Sequence, residues 1–500
     1  MPDKLTQLKE LLGEVYDLRN AAAVLNWDQH TYMPPAGGEA RGLQLATLGK
    51  LAQIKFTSDE IGKLLEDLKK ELAGADPYSD DAALVRVTAR DYDKAVRVPP
   101  EFVAEQAVVT SKALEAWVEA RKKSDFSIFK PHLEKVVELV KRYITFFPPA
   151  AHSYDILLDD YEPGMKSQEV IEIFNVLRPK QVELLRAISK AKQVNDKFLY
   201  GNYNQQKLVD FAVGIATQFG YDWNRGRQDR SPHPFQTTFS INDVRITTRF
   251  EPSAPINTLF NTMHESGHAM YEQGVNPAFE RGSLMSGASL AVHESQSRLW
   301  ENLVGRSLPF WEHFYPKFKK RFSSNIGDVS LKSFHKAINK VQPSFIRVEA
   351  DEATYNLHIM LRLEIEIGLV QGEMDVKDLP EIWNSKMKSY LGITPPNDAK
   401  GVLQDVHWSG GSIGYFSTYA LGNLISAQIW EVINRDIPDL NEQIRKGNFE
   451  SLLSWLRSHL HVHGRKYEPQ VIVKKICGMK ITPEPYLRYL TTKFGELYGL

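Results

Sequence analysis

Two histidines four residues apart, with a glutamate beside the first, are the residues of this chain whose types and spacing could do chemistry: His264-Glu265-Ser266-Gly267-His268. On a helix, positions i and i+4 lie one turn apart on a single face, so both imidazoles can ligate the same metal ion. Glu265 then stands beside that ion, placed to be the general base for a metal-activated water. Within the run Asn257 to Gly274, Leu259, Phe260, Met263, Gly267 and Met270 recur at spacings of three and four, the period of one buried helical stripe. The H-E-x-x-H pattern is short, and a chain with 14 histidines can hold it by chance. Its weight therefore depends on partners elsewhere.

A catalytic zinc needs a third protein ligand and one open position. The metzincin extension would require a histidine where Gly274 stands, which excludes that class. Glu272, one turn beyond His268 on the same helix, cannot easily fold back to close a tetrahedron. Glu280 follows a proline in a connecting segment and is poorly positioned. Glu294, in His293-Glu294-Ser295-Gln296, falls on the next helix, and a second rigid element is where a ligand is best preorganised. Glu294 is favoured over these neighbours, His293 included. The alternating His459, His461 and His463 would serve a metal only on a strand. Leu452, Leu453, Leu456 and Leu460, closed by Gly464, instead predict a helix end and a surface feature.

Composition narrows the partners. Lys+Arg 61 against Asp+Glu 62 leaves a net charge of -1, which argues against nucleic acid or an anionic membrane. No apolar run approaches a membrane span and the start lacks a secretory apolar region, so a cytoplasmic protein is expected. The single cysteine, Cys477, excludes an internal disulfide framework and any thiolate cluster for a metal.

The elements that must position the site read as mainly α. Leu5, Leu8, Leu11, Leu12, Val15 and Leu18 mark a first helix reaching Asn26-Trp27-Asp28, broken by Met33-Pro34-Pro35-Ala36-Gly37-Gly38. Helical patterns continue to about residue 145, with the charge-rich stretch Leu64 to Leu72 read as a solvated face. Ser167 is a candidate N-cap for a helix carrying Val170, Phe174 and Leu177, and Leu208, Phe211, Ile215 and Phe219 share a face that closes at Gly220. From Thr237 to Phe250 the period changes to that of a hairpin turning at Asn242-Asp243, whose edge could take an extended peptide by strand addition. Leu290 to Val304 predicts a helix ending at Gly305, and Phe345 to Val370 a long one. No repeat or linker divides the chain, so residues 1–500 read as a single large helical unit with a small sheet beside the metal helix.

Several short motifs occur together: Asn26-Trp27-Asp28, Tyr161-Glu162-Pro163-Gly164, His233-Pro234-Phe235 and Asp243-Val244-Arg245-Ile246-Thr247. The H-E-x-x-H and His293-Glu294-Ser295-Gln296 follow, then Ile346-Arg347-Val348-Glu349-Ala350-Asp351 and Gly401-Val402-Leu403-Gln404-Asp405-Val406-His407-Trp408. In this order, over nearly the whole chain, they resemble the thermostable carboxypeptidase family, also called carboxypeptidase Taq. The resemblance implies a metal-dependent carboxypeptidase that removes single residues from the free C-termini of peptides. It also implies a neurolysin-like helical fold with a deep active-site groove, flanked by the helical portion of about residues 1–150, and a homodimer. One divalent ion per chain is implied, Zn2+ or, as in some relatives, Co2+. The ligands carried over are His264, His268 and Glu294, with Glu265 as the base.

For the oxyanion that develops on the scissile carbonyl, similar helical peptidases use a histidine followed by a Gly-Tyr-rich helix start, which here implies His407 with Tyr415 or Tyr419. A carboxypeptidase must also hold a free carboxylate, for which a guanidinium is the two-pronged match. Arg347 is the first choice, against an i to i+4 pairing with Asp351, and Arg245 the second, against pairing with Asp243. His233 is a candidate for shaping the pocket. An endo-acting oligopeptidase would share the scaffold without a carboxylate anchor. An aminopeptidase would need acidic residues where Arg245 and Arg249 stand, and a metal-stabilised binding module would have no use for Glu265.

Overall fold

A computed structural model describes residues 3–500. The first helix, Lys4–Thr31, is capped by the Asp3 carboxylate, which accepts from the Thr6 amide at 2.8 Å. It runs through Asn26-Trp27-Asp28 and stops short of Pro34, whose ring disfavours helical backbone at the residue before it. The two glycines do not prolong the break. Gly37 ends a short 3-10 turn, Pro35–Gly37, and Gly38 opens the helix Gly38–Phe56. The helix Asp59–Glu71 buries Ile61, Leu64, Leu65 and Leu68 while Asp67 and Glu71 pair with Lys4 in solvent, the solvated face expected there.

Helices dominate the described residues, and one three-stranded sheet accompanies them in the order β1-β3-β2. β2 (Gln236–Ser240) and β3 (Asp243–Thr248) form the antiparallel hairpin, with Ser240 opposite Asp243. The turn is Ile241-Asn242, one residue earlier than Asn242-Asp243, because a bulge between Thr238 and Ser240 shifts the register. β1 (Gln228–Arg230) joins β3 in parallel. Three residues are too few to show a period, which is why it escapes a sequence reading. Val244, Ile246, Thr247 and Thr248 of β3 are buried, and the metal helix, Asn257–Gln273, packs on this strand.

Four expectations are corrected. Ser167 opens the helix Ser167–Lys190 without capping it; its amide and hydroxyl donate to Asp155 at 2.7 and 2.6 Å. The helix expected from Phe345 spans only Tyr355–Gln371. Asp351 accepts from the amides of Gln342, Ala353 and Thr354 and so ends the irregular segment before that helix. Leu290–Arg298 is α-helical, but Leu299–Val304 widens into a π turn that closes from the Gly305 amide to the Trp300 carbonyl at 2.9 Å. The helix Glu450–His459 ends before the histidines alternate; His461–His463 is a 3-10 turn with His461 fully buried, so it is no surface feature.

By packing, the chain divides into two compact units, each assembled from separate stretches. One comprises the chain up to Val96, Asp196–Ile338 and Ile429–Gly478; the other comprises Arg97–Asn195, Asn339–Gln428 and Met479–Leu500. One of the crossings falls inside a helix, Ser417–Asp436, which accounts for the lack of a linker composition to mark it. Among the described residues no helix is long and apolar enough to cross a membrane.

Candidate metal centre

His264 and His268 project from one face of the metal helix, and Glu294 meets them from the helix Leu290–Arg298 in the same unit. Their helices approach closely because position 267 is glycine: a Cβ there would lie 2.6 Å from the Gln296 carbonyl oxygen and 2.7 Å from the Ser297 Cα. Glu294 Oε2 stands 3.6 Å from His264 Nε2 and 3.4 Å from His268 Nε2, and the three ligand atoms lie within 4.8 Å of one another. With bonds of about 2.0–2.1 Å, tetrahedral neighbours on zinc lie roughly 3.4 Å apart, so these atoms fit one such ion. The donor set, two imidazoles and a carboxylate, suits zinc and its transition-metal neighbours.

Each donor is braced from behind. His264 Nδ1 is 2.9 Å from Glu301 Oε2, and Arg298 spans the two carboxylates, donating to Glu294 Oε1 at 2.7 Å and Glu301 Oε2 at 3.0 Å. Glu294, Arg298 and Glu301 fall at steps of four and three along one helical face, the one signal that could have disclosed Glu301 from the sequence. Burial alone would raise the Glu294 carboxyl, but Arg298 and His264 outweigh it and hold it well below the usual carboxylate range. Glu301 is likewise held down at about 2, burial being overcome by Arg298 and His264. Burial takes His268 down to about 3 and so leaves its ring neutral, as a metal ligand must be. His264 moves the other way; burial opposes its charge, but Glu294 and the bond to Glu301 raise it overall.

Glu265, buried beside His264, is pushed up to about 7, chiefly by burial; His264 opposes this, while Glu294 and Glu301 add to it. That is a range suited to moving a proton near neutral pH. The rejected carboxylates have other work. Glu280 accepts from the Ile241 amide at 2.9 Å, and Glu272 from the Gly287 amide at 3.0 Å and from His293 at 2.8 Å.

In the same unit, Arg245 on β3 is paired with Asp243 through two bonds of 2.8 Å and stacks on Trp27 and Phe239. Arg249 pairs with Glu251. His233 is exposed, and its Nδ1 lies 2.8 Å from the carbonyl of its neighbour Pro234.

The second unit gathers the remaining predicted residues into a cluster of its own. Arg347 is not on a helix facing Asp351. It sits buried in a 3-10 turn, donating to Asp405 at 2.9 Å and to the Tyr355 hydroxyl at 2.9 Å, with the Tyr419 ring 5.0 Å away. The Tyr415 and Tyr419 hydroxyls are 3.1 Å apart, and the His407 ring stacks on Tyr415 at 5.4 Å. Asp405, which sequence reasoning quoted in a motif without giving it a role, also accepts from Arg362 at 2.7 Å. Burial would raise the Asp405 carboxyl, but the two guanidiniums hold it well below its usual range. Glu366 anchors the loop between His407 and Tyr415, accepting from Trp408 Nε1 at 2.8 Å, the Gly414 amide at 3.0 Å and the Tyr154 hydroxyl at 2.6 Å. Gly414 has φ +99, and a Cβ on it would lie 2.8 Å from the Leu157 carbonyl, so glycine is required where this loop turns.

A mainly helical protein in which two imidazoles of one helix meet a carboxylate of the next, with a buried glutamate beside them, is of the metallopeptidase class. The chain belongs to the carboxypeptidase Taq (M32) metallopeptidase family, whose pattern matches residues 7–494. It is similar to Thermostable carboxypeptidase 1 of Thermus thermophilus, 41% identical over 98% of each chain. Carboxypeptidase 1 of Bacillus subtilis is 38% identical, also over 98% of each. The crystal structure of the M32 carboxypeptidase from Deinococcus radiodurans superposes over 100% of both chains with a TM-score of 0.96 at 38% identity. The protein is accordingly a metal-dependent carboxypeptidase.

Proposed function

We propose that the chain removes single amino acids from the free C-termini of peptides with Glu265 as the general base. The observation that carries this reading is the convergence of His264 Nε2, His268 Nε2 and Glu294 Oε2 with the Glu265 carboxyl alongside. His264, His268 and Glu294 would hold one divalent ion per chain, Zn2+, with Co2+ as a substitute. When bound, such an ion lowers the pKa of a water and polarises the scissile carbonyl. Glu265 takes the proton of the attacking water and delivers it to the leaving amine, a transfer that a carboxyl near pKa 7 can make in both directions.

Arg347 is proposed to bind the substrate carboxylate. Asp405 and Tyr355 hold its guanidinium in one orientation, so little freedom is lost on binding. His407, with Tyr415 or Tyr419, is proposed to donate to the developing oxyanion. Arg245, the second choice from the sequence, and His233, which faces solvent, remain lesser candidates. Residues 1–500 are proposed to act as one catalytic domain, as a cytoplasmic homodimer.

The test is to incubate matched peptides with free and amidated C-termini, with and without chelator, and to weigh the products. Metal-dependent loss of single C-terminal residues from the free acid alone is expected. Internal cuts, or equal activity on the amide, would refute the carboxylate-directed reading. Glu265→Gln should retain metal and lose about 10²- to 10⁴-fold in turnover, whereas Glu294→Ala should lose metal.

A further inference from the structure

The two metal-facing histidines are supported from behind in different ways. His264 meets a carboxylate directly, Glu301, at 2.9 Å. His268 instead turns its Nδ1 toward the Nδ1 of another imidazole, His293, at 2.6 Å, and His293 Nε2 lies 2.8 Å from Glu272 Oε1. When two ring nitrogens face each other, one must carry the hydrogen and the other must accept it. Glu272 decides which, because the oxygen that faces His293 is already the acceptor for the Gly287 amide and the Ser286 hydroxyl. His293 Nε2 is therefore the donor to Glu272, His293 Nδ1 is the acceptor, and the hydrogen between the rings belongs to His268 Nδ1. That tautomer leaves the lone pair of His268 on Nε2, the atom that faces Glu294 at 3.4 Å.

We propose that His293 is a positioning residue for the metal site: the chain Glu272–His293–His268 fixes both the tautomer and the ring plane of one metal ligand. The proposal rests on the ligand assignment given above. The support is itself built in. Glu272 is buried, and its Oε1 also accepts from the Gly287 amide at 3.0 Å and the Ser286 hydroxyl at 3.3 Å. The His293 ring is confined by Gly287, where an added Cβ would lie 2.7 Å from its Cδ2, and by the Tyr271 ring 5.2 Å away. Since His293 and Glu294 are consecutive, the helix Leu290–Arg298 supplies one ligand and steadies another. Support of this kind typically contributes 10- to 100-fold in metal affinity, roughly, when it is removed.

The test uses the full chain and Zn2+ alone, titrated against a chromophoric chelator. His293→Leu should bind Zn2+ about 10- to 100-fold more weakly. His293→Gln, whose amide can accept at one end and donate at the other, should recover most of that loss. Unchanged affinity in His293→Leu would overturn the proposal, and so would equal losses in the Leu and Gln variants, because volume alone would then suffice. His264→Ala serves as the control. If it binds Zn2+ like the parent, the ligand assignment has failed instead. Should His293→Leu not fold, nitrogen NMR of the Zn2+-loaded parent, labelled at histidine, reads the tautomer directly. His293 should carry hydrogen at Nε2 and none at Nδ1; the reverse tautomer or a doubly protonated ring would defeat the relay.

Discussion

Gly267 and Gln296 meet backbone to backbone, so closely that a Cβ on Gly267 would stand 2.6 Å from the Gln296 carbonyl oxygen. This contact sets how near Glu294 comes to the two histidines. Backbone on both sides leaves no flexible side chain to yield, so Gly267→Ala must push the helices apart. We expect a loss of about 1–3 kcal/mol in stability together with weaker metal binding. Thermal unfolding of the metal-free protein and a Zn2+ titration measure the two effects, and an alanine variant with parental values in both would contradict the packing argument.

Metal binding should weaken as the pH falls. Glu294 and the bond to Glu301 raise His264, so the metal-free ring keeps a proton to higher pH than usual, and the ion must displace it. Calorimetry of Zn2+ binding in buffers of different ionisation enthalpy should show proton release. Glu301→Gln should reduce that release, since it removes the charged partner of His264 Nδ1.

Asp405 accepts from two buried guanidiniums, Arg347 and Arg362, and Asp405→Asn leaves their charges uncompensated. A cost of about 3–5 kcal/mol follows from breaking a buried pair in this way. With Arg347 no longer held, KM for peptide acids should rise while Zn2+ affinity stays at the parental value, because Asp405 and the proposed metal ligands belong to different units. Steady-state kinetics beside a metal titration separates the two.

Glu366 gives a pH dependence of stability with a definite sign. Its three donors favour the carboxylate, but burial outweighs them and pushes it from 4.5 up to about 7. The folded state then keeps a proton that the unfolded state has lost, so stability falls as pH rises through that window and levels off above it. The full effect is about 3 kcal/mol, taking roughly 1.4 kcal/mol per pKa unit. Glu366→Gln should abolish this slope while keeping an acceptor for either Trp408 or Gly414, which donate to different oxygens of Glu366. Denaturant unfolding of both proteins between pH 4.5 and 7.5, about half a unit past the midpoint, reads the difference, and parallel curves would count against it.

From the sequence alone, the helical class, the hairpin before the helix Asn257–Gln273 and the three side chains that the structure brings together, His264, His268 and Glu294, were legible. These rest on local periodicity: four residues return a side chain to the same helical face, and alternation marks a strand. What supports those residues was not legible. Glu301 reaches His264 across 37 positions, His293 reaches back 25 positions to His268, and Asp405 takes Arg347 from 58 positions away. The helix expected at Phe345 failed because Asp351 takes the Ala353 and Thr354 amides that a regular helix would have paired with carbonyls, and the Arg347 side chain is held by Asp405 from 58 positions away. Periodicity determines which face a residue occupies on its own element. Which charge or backbone meets that face depends on how distant segments pack, and only the tertiary structure decided it.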